Sequence, residues 1–505
     1  MDAFNQLMAG FGTALTPTNL GYCLLGCLWG TVVGILPGLG PLAGMTLLLP
    51  LTFGMDATSA IIMLAGIFYG AMYGGSTTSI LVRIPGEAAS VMTCLDGHEM
   101  ARQGRAGHAL TIAALGSFVG GTVSIVLLMF LAPPLAEAML AIDPAAEAVV
   151  ILLGLSVIAL VSPTPFAKTV TMLAAGLFLS TIGFDKLTGV PRFTLGSLEL
   201  SDGLDFVALA IGLFGVSEIL LSLERMANLR PVHPKLSEML PDRAALRQAA
   251  PAVARGSVIG SVFGIIPGVS HVVSTFVSYA VEKRLARDPS RFGKGAIEGV
   301  AGPETANNAT TGTAMIPLLV LGVPSIPATA ILLSALMIHG IQPGPMLLVE
   351  RSDVFWGFVA SMYVGNAVLL LLNVPLVGLF VNLLRIPYFA LAPVIISICV
   401  IGVYSVNSSG FDVWVMMVAG LAGYLLRKFD YDMAPLLLAL VLGDRLEESF
   451  RRALMMSAGD WGAFVTGPAL GILLSVSGLL LVLQVIAWAL GYSRRVAREA
   501  MEEEA

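Results

Sequence analysis

Charge is what this 505-residue chain has least of: only 12% of its residues are Asp, Glu, Lys or Arg, about half the share of an ordinary soluble protein. Five histidines and four cysteines leave no Cys/His spacing of a metal site. A glycine-rich phosphate cradle of the P-loop kind is missing too, as is a nucleophile set beside its base. These absences argue against an enzyme and against transport powered by ATP within this chain. Cys23 and Cys27 fall on one helical face, but without acidic or histidine company they read, like Cys94 and Cys399, as small buried apolar side chains. The N-terminus lacks a basic region before its first apolar run, so no cleavable signal peptide is expected.

What the chain has instead is apolar length. Hydrophobic residues make up 56% of it and the mean hydropathy is +0.88, more than a soluble core could hide. Runs at 109–131, 149–161, 206–223, 354–384 and 463–490 reach or approach the ~20 residues that cross the hydrocarbon layer. By that criterion the sequence predicts about twelve membrane-embedded segments. The net charge of −6 says little about partners, because the placement of Lys and Arg carries the signal. None precedes Arg83, which suits an external N-terminus. Clusters follow at Arg102 and Arg105, from Arg225 to Arg255, from Lys283 to Lys294, at Arg427-Lys428, at Arg451-Arg452 and at Arg494-Arg495. All are expected inside, with the C-terminus. Four spans near 109–131, 136–161, 165–183 and 204–223 then return the chain to the side it left; Lys186 and Arg192 are too few to place the polar loop 185–202.

One short phrase occurs twice. Gly34-Ile35-Leu36-Pro37-Gly38 lies in one hydrophobic stretch and Gly264-Ile265-Ile266-Pro267-Gly268 in another, 230 residues later. Pro-Gly removes a backbone donor and loosens the chain, so it breaks a helix where lipid tolerates breaking least. Stretch 256–280 has basic clusters on both sides, so it should enter and leave by one face as a re-entrant hairpin; stretch 20–53 gives a second hairpin approaching from the opposite face. Each is followed by an irregular segment of small and hydroxylated residues, 69–78 and 303–312, and then by a second proline break, at Ile84-Pro85-Gly86-Glu87 and Val323-Pro324-Ser325. Matching breaks in two halves are the pattern of an inverted-repeat transporter.

Ser, Thr, Asn and Gly beside freed backbone groups suit a carboxylate held by helix N-termini and hydroxyls, with a small cation held by carbonyls. The expected substrate-binding residues are Pro37, Gly38, Leu39 and Gly40; Gly75, Ser76, Thr77 and Thr78; Gly268, Val269 and Ser270; and Asn307, Asn308, Thr310 and Thr311. Close helix packing is the competing reading for each of them alone. Glu87, Glu298 and Glu304 lie next to these segments, where acidic groups are expensive. Glu304 could coordinate a cation or accept a proton, or could simply favour a helix N-terminus. Arg83 could face an anionic cargo or snorkel to the interface, and His271 could carry a proton or be a hydrogen-bonded packing residue. Segment 434–443 is too short to span and is expected re-entrant or along the membrane surface.

Taken together, Gly34 to Pro41, Tyr73 to Ser76 leading to Ile84-Pro85-Gly86-Glu87, Asp96-Gly97 before Ala106-Gly107, Arg192-Phe193-Thr194 with Gly196, Gly212-Leu213-Phe214 with Glu218, and Gly302-Pro303-Glu304 through Asn307-Asn308 resemble the large membrane subunit of the tripartite tricarboxylate transporters, the TctA family, from about residue 20 to about residue 490. The resemblance implies a bacterial inner-membrane permease working with a small four-helix membrane subunit and a periplasmic solute-binding protein. It also implies import of citrate or related carboxylates coupled to a sodium or proton gradient, with no cofactor. Val269-Ser270-His271 and Val323-Pro324-Ser325 depart from the family's usual glycines, which bears on the substrate.

The sequence therefore predicts an all-α polytopic membrane protein of two inverted-topology halves. Residues 1–222 form the first membrane half, 223–255 a cytoplasmic basic loop, 256–492 the second half and 493–505 a cytoplasmic tail. Alternating access around the two tips is the expected mechanism. A gated anion channel is the alternative, and an intramembrane enzyme using Glu87, Glu298 or Glu304 a more distant one.

Overall fold

The computed structural model describes residues 3–36, 40–140, 142–162, 164–185, 187–224, 239–266, 271–381, 388–467, 471 and 475. The expected tip residues Pro37, Gly38, Leu39, Gly268, Val269 and Ser270 lie outside the described residues, as does the tail 493–505. In the first half the helices are α1 (Ala3–Ala14), α2 (Pro17–Ile35), α3 (Gly40–Leu48), α4 (Ala57–Val82), α5 (Val91–Met100), α6 (Ala106–Leu140), α7 (Pro144–Val161), α8 (Phe166–Ser180), α9 (Phe206–Ala210) and α10 (Ser217–Glu224). The second half has α11 (Arg243–Ile265), α12 (His271–Leu285), α13 (Glu298–Thr313), α14 (Pro327–Ile338), α15 (Leu347–Glu350), α16 (Ser352–Asn373), α17 (Val377–Val381), α18 (Tyr388–Asn407), α19 (Gly410–Lys428) and α20 (Ala434–Met456). A two-residue antiparallel pair, Gly183–Phe184 with Pro191–Arg192, is the one sheet among the described residues.

Local chemistry sets where these helices begin. Asp56, Asp143, Asp205 and Asp242 each accept a backbone N–H from the first turn of α4, α7, α9 and α11, and Pro17 and Pro144 occupy first helical positions where no donor is needed. The Asp242 cap starts α11 inside the stretch expected as a loop, so residues 243–255 are helical. Among the described residues, five helical stretches are long and apolar enough to cross a membrane: Pro17–Ile35, Ala57–Val82, Ala88–Leu140, Ser352–Asn373 and Gly410–Lys428. Six shorter apolar helical stretches accompany them.

Two helix pairs are joined by runs of three close glycine-to-carbonyl approaches each. α2 lies against α4, and an added Cβ on Gly26, Gly30 or Gly34 would stand 2.3 Å from the carbonyl oxygen of Met63, Ile67 or Ala71. α11 lies against α13 in the same manner: a Cβ on Gly256, Gly260 or Gly264 would stand 2.4, 2.2 or 2.6 Å from the oxygen of Gly302, Ala306 or Thr310. These glycines recur at the 230-residue offset of the Pro-Gly phrase, and their partners at a constant 239. Beyond the seams the correspondence continues at 239. α4 ends at Arg83 and the turn after α13 ends at Gly322, both left-handed, with φ of 61° and 66°. A proline follows each, and Ser90 and Thr329 then fold back onto the backbone N–H of Glu87 and Ile326.

Three expectations require correction. Residues 69–78 and 303–312, expected irregular, lie within the regular helices α4 and α13; the glycines that suggested irregularity are where neighbouring backbones press close. Residues 434–443 are the buried beginning of the 23-residue α20, packed on α7 and α8, and not a surface segment. Its polar continuation reaches the Gly183–Arg192 hairpin, where Arg451 donates to Asp185 at 2.7 Å. That guanidinium, with the backbone N–H groups of Leu187 and Thr188, holds the Asp185 carboxyl well below the usual carboxylate range, so the contact persists at neutral pH and is lost only in strong acid.

The seams yield a paired test. Gly260→Ala places a methyl where the Ala306 carbonyl now sits and should cost about 1–3 kcal/mol of stability as overpacking, read as a lower unfolding temperature in detergent. Gly21→Ala, which meets nothing within 4 Å, should leave it unchanged.

Candidate functional site

Breaking α2 after Ile35 frees carbonyls in the apolar interior, and the neighbouring helix answers them. Thr78 of α4 donates to the Ile35 oxygen at 2.6 Å. One turn earlier, α4 presents Gly75 and Ser76. A Cβ on Gly86, just past the first proline break, would stand 2.4 Å from the Gly34 oxygen and 2.5 Å from Gly75 Cα, so the end of α2, the middle of α4 and the break at Pro85 meet at one point. Glu87 projects from that break against Gly75, where a methyl would stand 2.8 Å from its Cγ.

α13 supplies the facing side. Glu304, 1% exposed, accepts hydrogen bonds from the Ser76 hydroxyl on one carboxyl oxygen and from the Thr93 hydroxyl of α5 on the other. One turn along, Asn307 Nδ2 donates to Glu87 Oε1 at 2.9 Å, while Glu87 Oε2 accepts the Ala89 N–H at 3.0 Å. The Asn307 Oδ1 atom is buried without a partner. Neither Glu87 nor Glu304 forms an ion pair with a Lys, Arg or His among the described residues. Two nearby cations pair with other carboxylates: Arg255 of α11 binds Glu282 at 2.7 Å, and Arg291, before α13, binds Glu298 at 3.1 Å.

The remaining expected residues extend this face. Asn308 donates to Ser117 of α6 at 2.7 Å, Thr310 contacts Ser274 of α12 at 2.8 Å, and Thr311 lies 3.1 Å from His271 Nε2. His271 also packs edge-on against Phe68 of α4, in keeping with its packing role. Thr77 is buried and, with Ser76, Ser117, Tyr73 and Asn373, lines a cavity of about 10 Å³, room for about one water. Gly40 opens α3 with φ of 60°, and nothing stands within 4 Å of where its Cβ would be.

Among the four expected clusters, then, Gly75–Thr78 and Asn307–Thr311 come together through Ser76 and Glu304, with Glu87 in the same cradle. Glu304 is not an N-terminal helix charge: α13 begins six residues earlier at Glu298. Arg83 is exposed at the end of α4, as an interfacial residue would be. Thr93 and Ser117 escaped the sequence reading. Ser117 stood among Gly116, Gly120 and Gly121, a small-residue signal that could have pointed to it; Thr93 carried no local signal at all. Asp96 takes a positioning part, accepting the backbone N–H groups of Gly293, Gly295 and Ala296 at 2.9, 2.8 and 2.7 Å and the Tyr279 hydroxyl at 2.8 Å. It thereby ties α5, which bears Thr93, to the loop that leads into α13.

Residues 20–438 match the model of the tripartite tricarboxylate transporter TctA family. An Agrobacterium vitis protein described as an uncharacterized 52.8 kDa protein in the TAR-I ttuC' 3' region is 46% identical over 486 residues, covering 96% of this chain and 97% of that protein. A second from Agrobacterium vitis, described as an uncharacterized protein in the TAR-II ttuC' 3' region, is 49% identical over 217 residues, 43% of this chain and 88% of that protein. No solved structure matches the chain.

Removing one hydroxyl tests the cradle. Thr93→Val leaves a buried carboxyl oxygen of Glu304 unpaired and should destabilise the protein by about 1–3 kcal/mol, seen as a lower unfolding temperature in detergent; Thr93→Ser should restore most of the loss.

Proposed function

The chain belongs to the tripartite tricarboxylate transporter TctA family, and from that premise we propose that it is the large permease subunit of a binding-protein-dependent secondary transporter importing tricarboxylates or related carboxylates. The observation that carries this reading is the Ser76–Glu304 contact. It joins the two segments that follow the Pro-Gly breaks into one buried cluster of hydroxyls, amides and carboxyls.

Such a cluster offers neutral donors to a carboxylate and leaves the N-termini of α3 and α12, at Gly40 and His271, to supply further N–H groups. In this reading the two halves are inverted repeats within about twelve membrane-embedded segments, and both tips belong to the substrate site. The cavity beside Ser76 and Thr77 has room for about one water, less than a carboxylate needs, and in this reading the site opens to admit its substrate. Substrate entry then requires the seam-packed hairpins to shift against the intact helices, which is alternating access. Co-import with sodium or protons reduces the cost of carrying a bare anion through a medium of low dielectric.

The family assignment further supports a small membrane subunit and a periplasmic solute-binding protein as partners. With them goes an inner-membrane location, the N-terminus periplasmic and the C-terminus cytoplasmic.

Uptake of labelled citrate and a panel of related carboxylates into vesicles containing the complete complex tests the proposal. Ser76→Ala removes the hydrogen bond to Glu304 and Asn308→Ala those to Ser117 and the Glu304 carbonyl oxygen, each worth about 0.5–1.5 kcal/mol, so uptake should fall at least roughly two- to tenfold while membrane insertion stays normal. Wild-type rates in both variants would remove these residues from the site. Counterflow that fails to saturate would favour a channel.

A further inference from the structure

Glu304 and Glu87 share one cradle, yet the atoms that hold them differ in kind, and the difference assigns them separate parts. Building on the transporter reading, we propose that Glu304 is the group that takes up and releases the coupled proton, through the Ser76 hydroxyl, while Glu87 remains ionised.

The argument is a count of hydrogens. Both partners of Glu304 are hydroxyls, which can donate or accept. Ser76 has one hydrogen and two neighbouring acceptors, Glu304 Oε2 and the Met72 carbonyl oxygen at 3.1 Å. When Glu304 is ionised, Ser76 and Thr93 each donate to one carboxyl oxygen. When a proton binds at Oε2, the new O–H donates to Ser76 Oγ, the Ser76 hydrogen turns to Met72 O, and Thr93 continues to donate to Oε1. Every group is satisfied in both states and no heavy atom needs to move. Turning one hydroxyl is the only cost.

Glu87 has no such freedom. Its two oxygens face the Ala89 N–H and the Asn307 amide nitrogen, which can only donate. A proton on Oε2 would set O–H against the Ala89 N–H, and a proton on Oε1 would be accepted only if the Asn307 amide turned over, a heavy-atom movement that Glu304 does not need. Like charges in one cradle also resist being ionised together. The first proton therefore goes to the carboxyl whose partners can receive it, the logic by which differing environments separate paired acids.

Most other titratable groups on the packed elements are engaged, and Tyr69 of α4 is buried with its hydroxyl unpaired. Asp96 of α5 is held by Tyr279 and three backbone N–H groups, Glu282 of α12 by Arg255 of α11, Glu298 of α13 by Arg291 and Gln248, and Tyr73 of α4 donates to Asn366. His271 of α12 contacts Thr311, Cys94 of α5 is a buried thiol, and α6 meets α13 with Gly116, Ser117 and Gly120. In the transport cycle the proton would come from water on the uptake side, form the Oε2–H bond, and leave to water on the other side as that bond breaks.

Infrared difference spectra of the full chain in lipid, recorded between acidic and alkaline pH, read this directly. The carbonyl stretch of a protonated buried carboxyl should titrate in the wild type and in Glu87→Gln and be absent from Glu304→Gln. A band that survives Glu304→Gln and disappears in Glu87→Gln, or no titrating band in the wild type, overturns the assignment. In vesicles of the complete complex, a one-unit pH gradient should sustain about tenfold accumulation of the carboxylate per proton, and Glu304→Gln should abolish it. Accumulation driven by a sodium gradient at equal pH and unaffected by Glu304→Gln would also overturn it. A titrating Glu304 band with no uptake of any carboxylate would instead remove the transport reading and leave the proton assignment standing.

Discussion

The closest approach of backbones, glycine against carbonyl, is the constraint on which the rest of this structure depends. In a hydrocarbon medium apolar burial gives helices little reason to associate, so contact must come from close packing and from polar groups that find one another. Gly26, Gly30 and Gly34 bring α2 onto α4, and Gly256, Gly260 and Gly264 bring α11 onto α13. With a side chain at any of these positions the two backbones could not meet as they do. Each seam runs up to a Pro-Gly break, so the same packing that holds the helix pair also delivers the broken end to its partner.

What the seams deliver is an interior that is polar yet, among the described residues, pairs neither Glu87 nor Glu304 with a cation. Thr78 answers the Ile35 carbonyl left by the break, and Ser76 and Thr93 answer Glu304. Asn307 answers Glu87 from the other half. Because the contacts are hydroxyls and amides, they can be exchanged for a ligand's oxygens at modest cost, whereas a buried ion pair would resist opening. The strong pairs, Arg255 with Glu282 and Arg427 with Glu218, stand on other faces of the helices.

Much of this could be read from residues in order. Composition and run length implied a helical membrane protein, and the doubled Pro-Gly phrase located the helix ends at Ile35 and Ile265. The reading failed where it took glycine and hydroxyl residues as irregularity: residues 69–78 and 303–312 are helical, since in a tight bundle a small side chain permits a neighbour's approach at the same spacing that in isolation would weaken the helix. Segment 434–443 misled for a related reason. Its apolar stretch is short because α20 continues as a polar helix toward the Arg192 and Arg451 ion pairs.

The chain's own chemistry determined its medium, its breaks, its caps and the glycine spacing of its seams, because each of these follows from interactions among residues close in sequence or from bulk composition. Tertiary structure alone decided that Thr93, with no mark in its surroundings, would share Glu304 with Ser76, and that Asp96 would gather three N–H groups from a loop nearly two hundred residues away. It also decided which carboxyl faces hydroxyls and which faces amides. Such pairings depend on the rotation and register of packed helices, and those are set by the sum of many contacts that no local pattern records.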